Sequence, residues 1–206
     1  MSAGAAKRPT EPAVCSAGEP VVDESDEALM LQAGAGSHDA CHELVRRYLG
    51  RIVAFAGRSL GDRTEAEDVA QEVFERLWIH AQKWHSGRAS LATWLHRIAL
   101  NLCLDRLARK REQSLVDVVE PVDSKPSMTA LMQQEDIGRL VNRELAALPD
   151  RQKIAITLCH YQDLRNTEAA EIMGVSIEAL ESLLARGRRT LGSRLRGLVP
   201  DLLGES

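Results

Sequence analysis

"TEAEDVAQEVFERLWIHAQKW", Thr64 to Trp84, reads as one amphipathic helix whose polar surface carries almost a single sign of charge. At 100° per residue, Ala66, Val69, Ala70, Val73, Leu77 and Trp84 fall on one side, with Phe74 and Trp78 at its margins. Glu65, Asp68, Gln71, Glu72 and Glu75 fall on the other side. Most charge runs on helices are solvated faces, so the choice between that and a docking surface rests on the rest of the chain.

The same helical period continues outward in both directions. Upstream lie "DEALMLQAGA" from Asp26 and "HDACHELVRRYLGRIVAFAGRSL" from His38; downstream lies "SLATWLHRIALNLCLDRLARKRE", ending at Glu112. Gly61 and the Ser86-Gly87 pair supply the breaks. These segments predict a first helical domain over 25–112. Residues 1–24, rich in Ala, Gly, Pro and Glu and without an apolar period, read as a disordered tail. After Arg111 the pattern gives way to "EQSLVDVVEPVDSKPSMTALMQQ", which carries Pro121 and Pro126 and reads as a flexible acidic linker over 113–134.

A second domain follows over 135–199, with a C-terminal tail at 200–206. Its expected helices cover 135–148, 150–161 behind Pro149, 166–173, and 177 to about 198. Between the last two stands "MGVS", where Gly174 can take a left-handed conformation to end one helix and Ser176 can cap the next. With small Ala169 and Ala170 permitting a close crossing, this is a helix-turn-helix pattern. Alternating β-branched runs are hard to find, so the fold class is all-α: two small helical domains joined by a linker.

Composition narrows the function. The 206 residues are 44% hydrophobic, enough for real cores, yet no stretch approaches the eighteen or so apolar residues of a membrane span. The N-terminus lacks the apolar segment of a signal peptide, so a cytoplasmic location is expected. Cys15, Cys41, Cys103 and Cys159 are scattered, and His80, His85 and His96 form no metal-binding pair, so neither disulfides, a zinc site nor any other cofactor is expected. The histidines read as ordinary surface or boundary residues. Gly-rich phosphate loops and nucleophile elbows are absent, and the chain does not read as an enzyme.

Net charge is −4, but its sign is segregated. The 62–75 stretch is acidic, and Glu112 to Asp136 carries six carboxylates against Lys125 alone. "RLARKR" at Arg106 to Arg111 and "RGRRTLGSRLR" at Arg186 to Arg196 are basic. Two cationic patches imply two anionic contacts. On the helix from Ser90, Leu91, Leu95, Ile98 and Leu102 form the buried stripe and Trp94 its edge. Arg97 and Asn101 share another face that continues toward Ala108 and Arg111. Charge for phosphate, an amide for a base edge and a flat ring for stacking suit opened DNA; a core Trp beside two solvated polar residues is the bland alternative. In the final helix Ile177, Leu180, Leu184, Leu191 and Leu195 line one face, while Ser182, Arg186, Arg189, Ser193 and Arg196 project away.

In this order and spacing, the motifs resemble the extracytoplasmic function (ECF) family of bacterial RNA polymerase sigma factors, over Asp26 to about Leu198. "EDVAQEVFERLW" looks like region 2.2, "ASLATWLHRIALNLCLDRLARKRE" like regions 2.3 and 2.4, and the segment from "LPDRQ" at Leu148 to "RGRRTL" like region 4. The resemblance implies a transcription initiation factor in which Asp68, Gln71 and Glu72 dock on the clamp of the polymerase's largest subunit. It implies that Trp94, Arg97, Asn101, Arg106, Arg109, Lys110 and Arg111 hold the minus 10 element. Region 4 would read the minus 35 element through Ser176, Ser182, Arg186, Arg188 and Arg189 and touch the flap of the second-largest subunit. An anti-sigma factor is the expected regulator. Family members often carry small residues at Glu178 and Ala179, a basic one at Glu181 and Arg at Leu183, so modest base readout by the last helix is expected. Two other readings are a sigma-like decoy for an anti-sigma factor and an ordinary helix-turn-helix regulator.

Overall fold

The computed structural model describes residues 24–84, 90–116 and 133–203, and among them every regular element is helical. The expected tail before Glu24, the Ser86-Gly87 break, the linker between 116 and 133 and residues 204–206 lie outside the described residues.

The first domain contains α1 (Asp26–Gly34), α2 (His38–Leu60), α3 (Arg63–Ala81) and α4 (Leu91–Val116). Their starts are written in short polar side chains that accept otherwise unpaired backbone N–H groups. Ser25 accepts from Ala28 at 3.2 Å, Ser37 from Ala40 at 3.3 Å, Asp62 from Glu65 at 3.1 Å and Ser90 from Thr93 at 3.1 Å. Gly61, at φ 72°, ends α2 in the left-handed conformation. Leu44, Ile52, Phe55, Val69, Val73, Leu77 and Leu95 fill the core between α2, α3 and α4. α1 closes one side, fastened where Asp26 accepts from the Tyr48 hydroxyl and pairs with Arg47 at 3.1 Å. Burial and the Asp26 carboxylate together hold the Tyr48 phenol protonated far above its ordinary range.

Two boundaries differ from the sequence reading. α3 stops at Ala81, and Trp84 leaves the helix through a turn in which its N–H bonds the Ala81 carbonyl at 3.2 Å. Trp84 remains half-buried because its ring packs on Trp94. α4 continues beyond Glu112 to Val116, taking up the start of the expected linker.

The second domain contains α5 (Gln133–Ala146), α6 (Asp150–Ile156), a π-helical turn (Thr157–Tyr161), α7 (Asn166–Met173) and α8 (Ile177–Leu203). Gly174 adopts φ 61°, and Ser176 accepts from Ala179 at 3.2 Å, which are the two roles the "MGVS" stretch requires. Ala169, Ala170, Leu180 and Leu184 are buried where α7 crosses α8. Ile177, placed on the buried face by periodicity, is 40% exposed: it is the first residue of α8, beyond the crossing. The expected single helix over 150–161 changes pitch at Thr157, whose hydroxyl donates to the Lys153 carbonyl at 2.9 Å. A side-chain bond to the ladder at that point favours the wider turn.

The domains touch directly. α4 packs against α7, and α2 packs against the π-turn, α5 and α6.

Candidate polymerase and nucleic-acid interface

The acidic surface of α3 has an open edge and a neutralised one. Asp68, Gln71 and Glu75 are exposed, with the Gln71 amide donating to Glu75 at 2.8 Å. Glu72 is half-buried, accepts from Arg76 at 2.6 Å and lies 3.9 Å from Arg106. Glu65 pairs with Arg106 at 3.1 Å and with Lys110 at 3.6 Å. The inner acids therefore belong to the α3–α4 packing, and the outer ones are available to a partner.

The same pairs sort the basic residues of α4. Arg97, Asn101 and Arg109 are exposed along the helix. Arg106 has only 19% of its side chain exposed and is turned toward Glu65, so it braces α4 against α3. Arg111 reaches Asp150 in the second domain. Trp94 is half-buried, standing edge-to-face with Trp84 at 5.5 Å between ring centroids and with His80 at 5.9 Å. Trp94, Arg97 and Asn101 thus lie along one helix beside an aromatic cluster.

In the helix-turn-helix, Ser176 is occupied as the cap of α8. The exposed Glu178 has its carboxyl pulled below the usual range by its own backbone N–H and by the Ser176 hydroxyl. An acid here suits the positive end of the helix, which gives Glu178 a structural use. Ser182 and Arg186 line a shallow hollow with Leu183 and Arg151, and Arg188 and Arg189 are exposed. Arg151 comes from α6, too far along the chain for a motif in the last helix to reveal it. Gly187 is buried and lets α6 approach, since a Cβ there would lie 2.7 Å from Ile156 Cδ1.

The reading of the histidines as surface or boundary residues fails at His96, which is fully buried. Its Nδ1 donates to the Ala92 carbonyl at 2.7 Å, Phe55 packs edge-on at 5.6 Å, and Nε2 faces the Gln162 amide of the second domain at 3.4 Å. Burial holds its pKa below the ordinary 6.5, and nearby Arg51 acts in the same direction. Burial likewise pushes the Cys103 thiol up to about 12, so it stays protonated. Among the described residues no His, Cys, Asp or Glu group is placed to hold a metal ion, and no helix is long and apolar enough to cross a membrane.

Two family models match the chain: Sigma-70 region 2 over residues 44–113 and Sigma-70, region 4 over residues 138–191. The chain is 29% identical over 185 residues to the ECF RNA polymerase sigma factor SigW of Bacillus subtilis, covering 81% of this chain and 95% of that protein. The structure of CnrH in complex with the cytosolic domain of CnrY matches with a TM-score of 0.63 and 26% identity, over 84% of this chain and 99% of CnrH. The sigma factor RpoE, solved with the anti-sigma factor NepR from Bartonella quintana, shares the fold at a TM-score of 0.58 and 23% identity, over 80% and 97% of the two chains.

Proposed function

The chain belongs to the ECF family of RNA polymerase sigma factors, and we propose how its surfaces divide the work of transcription initiation. Core polymerase is taken by the open edge of α3 at Asp68 and Gln71, with Glu72 at its inner margin, facing the clamp of the largest subunit. Complementary charge at such an edge speeds oriented association. The exposed Arg97, Asn101 and Arg109, with Trp94 beside them, hold the minus 10 strand. α7 and α8 take the minus 35 duplex through Ser182, Arg186, Arg188 and Arg189, and the second domain touches the flap of the second-largest subunit. The chain catalyses no reaction itself and acts in the cytoplasm with polymerase and promoter DNA. An anti-sigma factor regulates it, a reading supported by the capture of CnrH with CnrY and of RpoE with NepR.

The observation that carries this reading is the presence, on two helices packed against each other, of an exposed acidic edge and an exposed Arg-Asn face. Run-off transcription with core polymerase and promoters selected from genomic fragments tests it. Specific initiation that requires the chain is expected; binding to polymerase without initiation on any fragment would favour the decoy reading. Exposed Glu178 and Glu181 in the first turns of α8 are the features that speak for that alternative.

A further inference from the structure

The exposed cations of α8 have a companion on another helix. Arg151, exposed in the first turn of α6, and Arg186, exposed on α8, line one shallow hollow of about 210 Å³. The helices come together at a glycine: a Cβ on Gly187 would lie 3.4 Å from the Gln152 Cβ, and Arg151 and Arg186 are the residues next to these two contact points. Among the described residues neither guanidinium has an ion-pair or hydrogen-bond partner. Asp150, the adjacent acid, is already shared by Arg111 and by Lys153, the latter at 3.2 Å. Two like charges held side by side with no acid between them repel, and an anion bound between them removes that cost.

The rest of the hollow suits a phosphodiester. Half-buried Ser182 offers a hydroxyl, and Val175, Ala179 and Leu183 supply apolar lining against which a sugar can rest. The acids of α8 stand aside: at about 100° per residue, Ala179, Ser182, Leu183 and Arg186 centre on one flank, with Glu178 about 90° and Glu181 about 150° around the helix from it. An anion on the far flank would face Glu181, whereas one in the hollow meets two guanidinium forks and a hydroxyl. We propose that this hollow clamps a backbone phosphate of the minus 35 duplex, with Arg151 of α6 as the arm opposite Arg186. The inference rests on the sigma reading of the preceding section. The duplex backbone then meets α8 on the flank shared with α6, away from Glu181, and the contact fixes position and carries no base preference of its own.

Holoenzyme assembled from core polymerase and the full chain, as wild type, Arg151→Ala, Arg151→Lys or Glu181→Ala, is titrated with a selected promoter at several salt concentrations. Arg151→Ala should weaken the complex and lower the slope of log affinity against log salt by about 1, with melting curves unchanged because the side chain is exposed and unpaired. Arg151→Lys should restore the slope, since the charge sets counterion release, and Glu181→Ala should leave it unchanged. On a template shortened to remove the minus 35 element, wild type and Arg151→Ala should bind alike. An unaltered slope in Arg151→Ala, a slope that Arg151→Lys fails to restore, or a loss that persists on the shortened template would each overturn the clamp. So would a gain in Glu181→Ala as large as the loss in Arg151→Ala, which would put the duplex on the other flank. Loss of affinity for core polymerase, with promoter binding by the assembled holoenzyme unchanged, would give the hollow to a protein partner and overturn the clamp as well. Wild-type holoenzyme that binds no promoter removes the sigma reading and the clamp together; wild-type binding with an unaltered Arg151→Ala slope removes the clamp alone.

Discussion

Arg58 and Tyr161 meet across the domain boundary, the guanidinium carbon over the ring at 4.2 Å from its centroid. One sits near the end of α2 and the other closes the π-turn, so their attraction couples elements a hundred residues apart in sequence. A double-mutant cycle of Arg58→Ala and Tyr161→Leu, followed by denaturant unfolding, should give a coupling of about 0.5–2 kcal/mol. Additivity within about 0.3 kcal/mol would mean that the pair does not form in solution.

Gly34 and Gly187 stand at close helix crossings of unlike rigidity. A Cβ on Gly34 would meet the Ala81 carbonyl oxygen at 2.7 Å, backbone that cannot turn aside, whereas one on Gly187 meets the tip of Ile156. Gly34→Ala should destabilise the first domain by about 1–3 kcal/mol. Gly187→Ala should cost less, because Ile156 can change rotamer and Ala gains about 1 kcal/mol of helix propensity inside α8. Thermal melts of the two variants check the order.

Acid should weaken the domain contact through His96. Its pKa in the packed state lies below 6.5, so as pH falls through 6.5 the separated or unfolded chain takes up a proton that the packed chain refuses. The stabilisation is complete above 6.5 and is lost progressively below it. Besides Arg51, the group facing His96 is the uncharged Gln162, with Phe55 along its edge, and no carboxylate is among its hydrogen-bond partners. Chemical denaturation from pH 8 to 5 should show this loss in the wild type and a flatter profile in His96→Gln. Parallel profiles would remove His96 as the cause.

On α4, function and stability should separate by residue. Arg97→Ala and Asn101→Ala remove exposed side chains and should change stability by no more than about 0.5 kcal/mol while impairing promoter opening. Arg106→Ala strips Glu65 of its closest cation and should cost about 1–3 kcal/mol as well. Permanganate reactivity of a cognate promoter, read beside melting curves, distinguishes them. Normal opening by Asn101→Ala would refute its strand-holding role.

The acidic edge allows a similar division. Asp68→Lys should reduce affinity for core polymerase with the fold intact. Glu72→Lys should also lose its pairs with Arg76 and Arg106 and melt earlier. Equal polymerase affinity of Asp68→Lys and wild type in a titration would end the docking assignment.

How much of this was legible depended on distance along the chain. The Ser176 cap, the left-handed Gly174 and the break at Gly61 act on backbone within a few residues, so composition and order revealed them. The apolar stripes of α3 and α4 were legible for the same reason, as was the exposure of Arg97 and Asn101. His96 was misread because the groups that cover it, Phe55 of α2 and Gln162 66 residues away, lie on other elements, and no local period marks partners at that range. Arg106 looked like a free cation in a basic run because Glu65, its partner, sits on another helix. The change of pitch at Thr157 left no sign in the apolar pattern, which a helix of either width satisfies.

The tryptophans carry one more consequence. Trp78, Trp84 and Trp94 all belong to the first domain, and the Trp84–Trp94 pair stands edge-to-face. Indole rings 5.5 Å apart share excitation energy, so their emission behaves as one optical signal. If Trp94 rotates toward a base, that signal changes without any added dye. Excitation selective for indole leaves the second domain dark, so melting watched by fluorescence follows the first domain alone, while calorimetry of the same sample sees both.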